Sequence, residues 1–210
     1  MTEGRRGMKD KVYLFWDNSN IFIPAQYVAN RREGWTAEKA VRIQFDALHT
    51  LARWGRAIAK AVCVGSVPPE LRAVWDRLEQ TGVEVELFER GAASHKEQGV
   101  DQCLQVHMLR ALADAQEPSV AVLLTGDGAG YADGVGFYAD LERMANRGWG
   151  IEVLAWDAAC NRGLKEWAQL VGVYLPLDNF YESVTFLEGS RRAKQLSRSG
   201  RPTAKPREPS

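Results

Sequence analysis

The sequence predicts an α/β protein with three layers, α/β/α, around a mostly parallel central sheet. Short apolar and β-branched runs alternate with stretches of helical periodicity along most of the chain, and this alternation is typical of a parallel sheet covered by helices. Two of the runs, residues 12–16 and 120–124, are followed within three residues by an aspartate. The 210 residues suffice for one such domain and are too few for two domains of ordinary size.

The regular elements follow from the local periodicity. Strands are expected where the apolar runs lie, near residues 11–16, 57–65, 83–88, 119–125, 149–155 and 172–175. Helices are expected between them, over about 38–54, 69–81, 99–114, 134–147 and 162–171, with a further helix over part of 21–32. In the first of these, Val41, Phe45 and Leu48 keep a helical spacing.

Two short segments have weaker patterns. Residues 35–38 are interpreted as a loop that ends in a capping threonine, Thr36. Residues 178–188 are interpreted as a closing element, with an edge strand at Val184, Phe186 and Leu187.

The chain divides into three parts by composition. Residues 1–10 form an N-terminal extension, residues 11–189 the domain, and residues 190–210 a basic tail. The tail has seven basic side chains, one acid and one leucine. We expect it to be disordered, because so few apolar groups cannot offset the entropy of ordering it.

Composition limits the possible functions. Basic and acidic residues balance at 27 each, but without the tail 20 basic and 26 acidic residues remain, a net charge of −6. The three cysteines, Cys63, Cys103 and Cys160, form no CxxC pair and are interpreted as reduced core thiols, and nothing resembles a zinc site. No signal-peptide pattern or apolar run of about 18 residues is present, so we expect a cytoplasmic protein without a membrane partner.

The first candidate site motif is DNSN at residues 17–20. A carboxylate followed by amide and hydroxyl groups in a tight turn offers a metal ligand together with hydrogen bonds to phosphate or metal-bound water. The alternative is an Asx turn in which Asn20 caps the next helix.

The second motif is KEQGVD at residues 96–101. With a helix start near Gly99, Asp101 falls in the first turn, where a capping acid is the simple interpretation. The stripe Leu104, Met108 and Leu112 should face the sheet, and Asp101 borders it. This position favours a role in a site.

The third motif is TGDGAGYADG at residues 125–134. Its glycines let the backbone turn sharply and approach a ligand, but the spacing fits neither common phosphate-binding pattern. The aspartates Asp127 and Asp133 would repel a pyrophosphate in the absence of a cation. Because parallel strands place ligands at their carboxyl edge, we expect Asp17 and Asp127 to meet there and to bind a divalent cation.

In this order, the three motifs followed by GWGIEVLAW resemble the NYN family of the PIN-like nuclease superfamily, in particular its bacterial LabA-like group. The resemblance spans about residues 11–176. It implies a PIN-like fold and cleavage of RNA, with single-stranded RNA as the expected substrate, that depends on Mg²⁺ or Mn²⁺.

The resemblance also implies site residues. Asp17, Asp101 and Asp127 match the family's acidic residues, and Asn18 or Asn20 matches its polar support. The family's further acid, two residues after the third aspartate, is replaced by Ala129. Asp133, or alternatively Asp157, is the candidate for a fourth carboxylate.

Supporting and RNA-binding roles are assigned to other residues. Thr125 is expected to hydrogen-bond a ligating carboxylate, and Lys96 is expected to contact RNA phosphates, as are the tail residues Arg191, Arg192 and Lys194. Two alternatives stay open: a catalytically impaired RNA-binding or regulatory module, and a phosphohydrolase with an aspartate nucleophile. The second would require an acid where Ser19 stands.

Overall fold

Six parallel strands form the central sheet of the computed structural model, which describes residues 11–67, 72–89, 95–129, 131–197 and 200–207. The strands are β1 Lys11–Asp17, β2 Val41–Ile43, β3 Ala57–Val67, β4 Glu84–Glu89, β5 Val120–Leu124, β6 Gly150–Ala155, β7 Val173–Pro176 and β8 Thr185–Leu187. The sheet has the order β4-β3-β1-β5-β6-β7, and all its neighbours pair in parallel. The six predicted sheet strands are confirmed.

Helices connect the strands. They are α1 Asn18–Glu33, α2 Trp35–Ala40, α3 Phe45–Arg53, α4 Arg72–Glu79, α5 His95–Asp114, α6 Gly136–Asn146, α7 Arg162–Val171 and α8 Tyr181–Val184. The predicted helix over 69–81 begins in a segment outside the described residues, and its described part is α4.

The sheet separates two apolar cores, because successive side chains of a strand point to opposite faces. On β1, Leu14 and Trp16 belong to the core that also contains residues of α1 and α3. Phe15 belongs to the other core, together with residues of α5, α6 and α7 such as Leu104. The predicted three-layer α/β/α architecture is therefore confirmed.

The predicted helix over 38–54 is wrong at its start. Val41 and Ile43 form β2, which pairs antiparallel with β8 in a separate two-stranded sheet. Both side chains are buried with Arg42 between them, and this alternation suits a half-buried strand. Residues 35–38, predicted as a loop, belong to α2. The predicted edge strand is found as β8, although Val184 ends α8 instead.

The described part of the C-terminal segment packs against the domain, in contrast to the disorder predicted for residues 190–210. The guanidinium of Arg201 is buried and lies 2.7 Å from the carboxylate of Glu152 on β6. Arg56 binds the same carboxylate at 2.6 and 2.8 Å, and the backbone amide of Ala204 donates to it at 2.8 Å. The prediction of disorder counted only apolar residues. It failed for this segment because polar contacts to Glu152 hold it against the domain.

No helix in the described ranges combines the length and the apolar character that crossing a membrane requires.

Candidate functional site

Asp17 ends β1 and at the same time caps α1. Its Oδ1 atom accepts the backbone amides of Ser19 at 3.0 Å and Asn20 at 3.2 Å. Its Oδ2 atom accepts the side-chain amide of Asn20 at 2.5 Å. The residue that caps the helix is thus Asp17, and the alternative in which Asn20 is the cap is wrong.

The environment of Asp17 disfavours its charge. The side chain is 1% exposed, and burial raises the pKa of its carboxyl, although the hydrogen bonds from Asn20 and Ser19 act in the opposite direction. The negative charge of Asp127 raises the pKa of Asp17 further. This effect of Asp127 is the smallest of those that act on Asp17, and burial is the largest.

Asp127 lies in the loop after β5, on the strand next to β1. The register aligns Trp16 with Leu124, so the segments that follow β1 and β5 leave the sheet at the same edge. The Oδ1 atom of Asp127 accepts the backbone amide of Ala129 at 2.9 Å, while its own amide donates to the Thr125 hydroxyl at 3.2 Å. Thr125 is fully buried, and this bond joins its hydroxyl to the backbone of Asp127, whereas a bond to a ligating carboxylate was expected.

Two glycines allow this loop to lie directly on the segment before α7. A Cβ on Gly126 would lie 2.8 Å from the Cα atom of Cys160, and one on Gly128 would lie 2.5 Å from Cγ of Asn161. Asn161 is fixed in turn, since its backbone amide donates to the Gly126 carbonyl at 2.7 Å and its side chain caps α7. The loop that carries Asp127 is thus rigidly packed.

Asp101 lies on α5, a helix that packs on the face of the sheet opposite to α1 and α3. Since α5 begins at His95, Asp101 is beyond its first turn, and the interpretation as a helix-capping acid is wrong. Its side chain is half-buried and has an interaction partner. Leu104 and Met108 are fully buried against the sheet, as the predicted stripe requires.

The register relates Asp17 to the α5 side. Asp17 aligns with Val64 of β3, and Val64 belongs to the same core as Leu104 of α5. By the alternation of strand residues, Asp17 shares this side with Phe15.

Asn18 adds a polar atom to the same edge. It is the first residue of α1, and its Oδ1 atom is buried without a hydrogen-bond partner among the described residues. A buried acceptor of this kind is costly unless a donor or a cation satisfies it.

The two candidates for a fourth carboxylate differ in their surroundings. Asp133 is exposed in a 3-10 turn over Tyr131–Asp133. Asp157, just after β6, is bound by the Lys165 ammonium at 2.5 Å and the Tyr174 hydroxyl at 3.2 Å. The hydrogen bond from Lys165 lowers the pKa of Asp157.

The residues predicted to bind RNA differ in their exposure and in the contacts that they already make within the protein. Arg191 contacts Glu33 at 3.0 Å and Thr185 at 2.9 Å, and its guanidinium lies over the ring of Tyr181. Lys194 is exposed and paired with Glu182, and Arg192 is exposed. Lys96 belongs to α5, but its side chain lies outside the described residues.

One cluster of side chains was not predicted from the sequence. Glu86 on β4 accepts a hydrogen bond from the Cys103 thiol at 2.7 Å, and its other carboxylate oxygen lies 2.5 Å from Nε2 of His107. Burial raises the pKa of Cys103 to about 12, and the hydrogen bond to Glu86 adds to this effect. The i,i+4 spacing of Cys103 and His107 was a signal, but only the tertiary structure brings Glu86 to them.

Comparison with known families agrees with this architecture. A family model for the NYN domain matches residues 11–168, from β1 into α7, a segment that contains Asp17, Asp101 and Asp127. A search of curated proteins finds no match. Because the match covers most of the sequence and the fold is the PIN-like sheet that the resemblance implies, the chain belongs to the NYN domain family.

Proposed function

We propose that the protein is a ribonuclease that hydrolyses phosphodiester bonds of single-stranded RNA with the help of Mg²⁺ or Mn²⁺. The observation that carries the proposal is the buried Asp17 at the end of β1, with Asp127 in the loop that follows the neighbouring strand β5. Keeping two carboxylates ionised in a partly buried crevice is unfavourable unless a cation neutralises them.

Asp17 and Asp127 follow neighbouring strands, and Asp101 on α5 is the proposed third acid, although the described side chains do not bring the three carboxylates together as a ligand group. Mg²⁺ and Mn²⁺ prefer oxygen ligands, and Asp17, Asp127 and Asp101 supply carboxylates from a strand end, a loop and a helix. The partnerless Oδ1 atom of Asn18 is suited to accept a hydrogen bond from a water on the ion. Asp133 is the proposed fourth acid, because Asp157 is already paired with Lys165.

The chain's residues would hold the reacting groups rather than react covalently. Asp17, Asp101 and Asp127 would bind the ion, Asn20 would orient the Asp17 carboxylate, and Thr125 would fix the loop that carries Asp127. The ion would supply a Lewis acid and lower the pKa of the attacking water. In-line attack on phosphorus would then release the 3′ oxygen and leave a 5′-phosphate product.

Exposed aromatic and basic side chains support binding of single-stranded RNA. Tyr27 and Trp35 are 65% and 69% exposed, and such rings stack on unpaired bases. Arg192 and Lys194 would add salt-sensitive contacts to phosphates. Arg191 is a weaker candidate, since its guanidinium is used within the protein. A cytoplasmic location suits this substrate and the three free cysteines.

A catalytically impaired RNA-binding module is the second candidate function. The observation that favours it is Ala129, which stands where the resemblance implies a further acid. Loss of one carboxylate would weaken metal binding while leaving the RNA-binding surface intact.

The experiment that separates the two incubates full-length protein with labelled single-stranded RNA and Mn²⁺ or Mg²⁺, with EDTA as control. Asp17→Asn and Asp127→Asn are tested beside Asp114→Asn, an exposed acid at the end of α5. Metal-dependent cutting that is lost in the first two variants and kept in the third supports the nuclease. Binding without cutting supports the impaired module, and neither activity overturns both.

A further inference from the structure

Glu86, Cys103 and His107 form a cluster of metal-ligating side chains on the α5 side of the edge strand β4. The three ligand atoms, a carboxylate oxygen, Sγ and Nε2, all lie within 4.8 Å of one another. Cys103 and His107 are one helical turn apart on α5, so their side chains share a face. Such a set of sulfur, nitrogen and oxygen donors suits Zn²⁺ rather than Mg²⁺.

We propose that Glu86, Cys103 and His107 bind one Zn²⁺ ion, with water as the fourth ligand. This site is separate in chemistry from the all-oxygen site at the carboxyl edge, and the proposal does not depend on the nuclease activity. Binding releases the thiol proton of Cys103 to solvent. Nε2 of His107 must also give up the proton that it shares with Glu86, so that the neutral ring carries its proton on Nδ1, and bonds to the ion then replace the two hydrogen bonds of Glu86.

The distances between the ligand atoms of Glu86, Cys103 and His107 must change by only a small amount for Zn²⁺ to replace the hydrogen bonds. Metal–ligand bonds of about 2.0–2.3 Å in a tetrahedron separate the ligand atoms by roughly 3.5 Å. The Glu86 oxygens lie 2.7 Å from Sγ and 2.5 Å from Nε2, so each pair must open by about 1 Å. The Glu86 side chain is 36% exposed, which gives it freedom to move and gives the ion a path from solvent.

The surroundings predict a moderate affinity. His107 is 4% exposed, and its Nδ1 atom has no hydrogen-bond partner among the described residues. A ligating histidine usually donates this second N–H, and loss of such a partner weakens metal affinity about 10–100-fold. We therefore expect binding that is weaker by this factor than at a fully supported zinc site.

The site would join the edge strand β4 to α5, the helix that carries Asp101. Glu86 belongs to the edge strand β4, while Cys103 and His107 follow Asp101 on α5. An ion that links the strand to the helix would hold α5 in position, and it would stabilise the folded state in proportion to its occupancy.

The first test titrates full-length, EDTA-stripped protein with Co²⁺ in excess Mg²⁺, so that the acidic edge is occupied. A thiolate-to-cobalt charge-transfer band that saturates at one equivalent is expected, and Zn²⁺ should displace it. Cys103→Ser and His107→Gln should abolish the band. Cys160→Ser, the matched half-buried thiol, and Asp127→Asn should keep it. No band, or a band retained in Cys103→Ser, would overturn the proposal.

The second test needs no variant and therefore does not depend on how the substitutions fold. Wild-type protein is alkylated with and without Zn²⁺, and the peptides containing Cys103 and Cys160 are quantified by mass spectrometry. Zn²⁺ should slow alkylation of Cys103 at least about tenfold, because a coordinated thiolate is shielded, and should leave Cys160 unchanged. Equal rates at Cys103 with and without Zn²⁺ would refute the site.

Discussion

Asn20 donates its side-chain amide to the Oδ2 atom of Asp17 at 2.5 Å, while the backbone amides of Ser19 and Asn20 donate to Oδ1. One carboxylate therefore begins a helix and also lies at the edge where the acidic site is proposed. Because an ionised carboxylate has about four acceptor positions, three hydrogen bonds leave room for a metal ion on Oδ2.

Two substitutions of Asp17 should separate the effect of the helix cap on stability from the effect of the buried negative charge. Burial raises the pKa of Asp17 above 3.8, so its stabilising contribution is full below the unfolded-state pKa and is lost as pH rises through the raised folded-state pKa. At neutral pH without metal, Asp17→Asn should therefore raise the free energy of unfolding or leave it unchanged. Asp17→Ala should lower it by about 1 kcal/mol, since the cap is lost.

Urea unfolding in EDTA at neutral pH and at a pH near 4 measures both effects. The difference between wild type and Asp17→Asn should shrink at the lower pH. A large loss of stability in Asp17→Asn at neutral pH would contradict the interpretation that the charge is unfavourable.

Removal of the Asn20 amide should weaken metal binding. The amide orients the Asp17 carboxylate and stabilises its charged form, so Asn20→Ala should reduce Mn²⁺ affinity about 10–100-fold. Isothermal titration with Mn²⁺ measures the change. Gln26→Ala on the same helix is the matched control and should bind as wild type. Equal affinity in both variants would show that Asn20 has no role at the metal.

Ala129→Asp should increase metal-dependent cleavage of RNA. Ala129 is exposed, and its backbone amide already donates to Asp127, so an added carboxylate lies next to the acidic edge without being buried. Initial cleavage rates across a Mn²⁺ titration measure the effect. Ala113→Asp adds the same charge at an exposed position near the end of α5 and should change the rate little. Equal rates in the two variants would show that position 129 lies outside the site.

Loss of Arg201 should destabilise the whole domain. Arg201 and Arg56 both bind the buried carboxylate of Glu152, and removal of one partner from such a network costs about 3–5 kcal/mol. Arg201→Ala should lower the free energy of unfolding by several kcal/mol, whereas Arg192→Ala, an exposed arginine, should have little effect. Chemical denaturation of the three proteins tests this, and equal stabilities would contradict it.

The same network should make stability fall in acid. Burial raises the pKa of Glu152, but Arg56 and Arg201 outweigh burial, and the net pKa lies below 4.5. The stabilisation is therefore present above pH 4.5 and is lost as pH falls through the lower folded-state pKa. Thermal melts over this range should show a steeper decline for wild type than for Arg201→Ala.

The central sheet could be predicted from the sequence because each strand is a local apolar run. Runs such as 12–16 and 120–124 carry enough buried β-branched and aromatic residues to identify strands without knowledge of their neighbours. The aspartates after these two runs followed from the same pattern, and the parallel pairing of β1 with β5 places the ends of both strands at one edge of the sheet.

Local patterns did not predict the secondary structure or the ion pairs that depend on a distant segment of the chain. Val41 keeps a helical spacing with Phe45 and Leu48, yet the segment Val41–Ile43 forms a strand because β8, far along the chain, pairs with it. Glu152 lies within the apolar run of β6, and no local pattern shows that Arg201, 49 residues further along the chain, binds its carboxylate.

The sequence by itself determined the parallel α/β architecture and the strand-end acids, because hydrophobic periodicity and turn residues act over a few neighbouring positions. Tertiary structure alone decided which side chains share a site. Glu86 meets Cys103 and His107, and Arg201 meets Glu152, only because the folded sheet and helices bring these distant segments together. Such pairings depend on three-dimensional packing, and no local pattern encodes them.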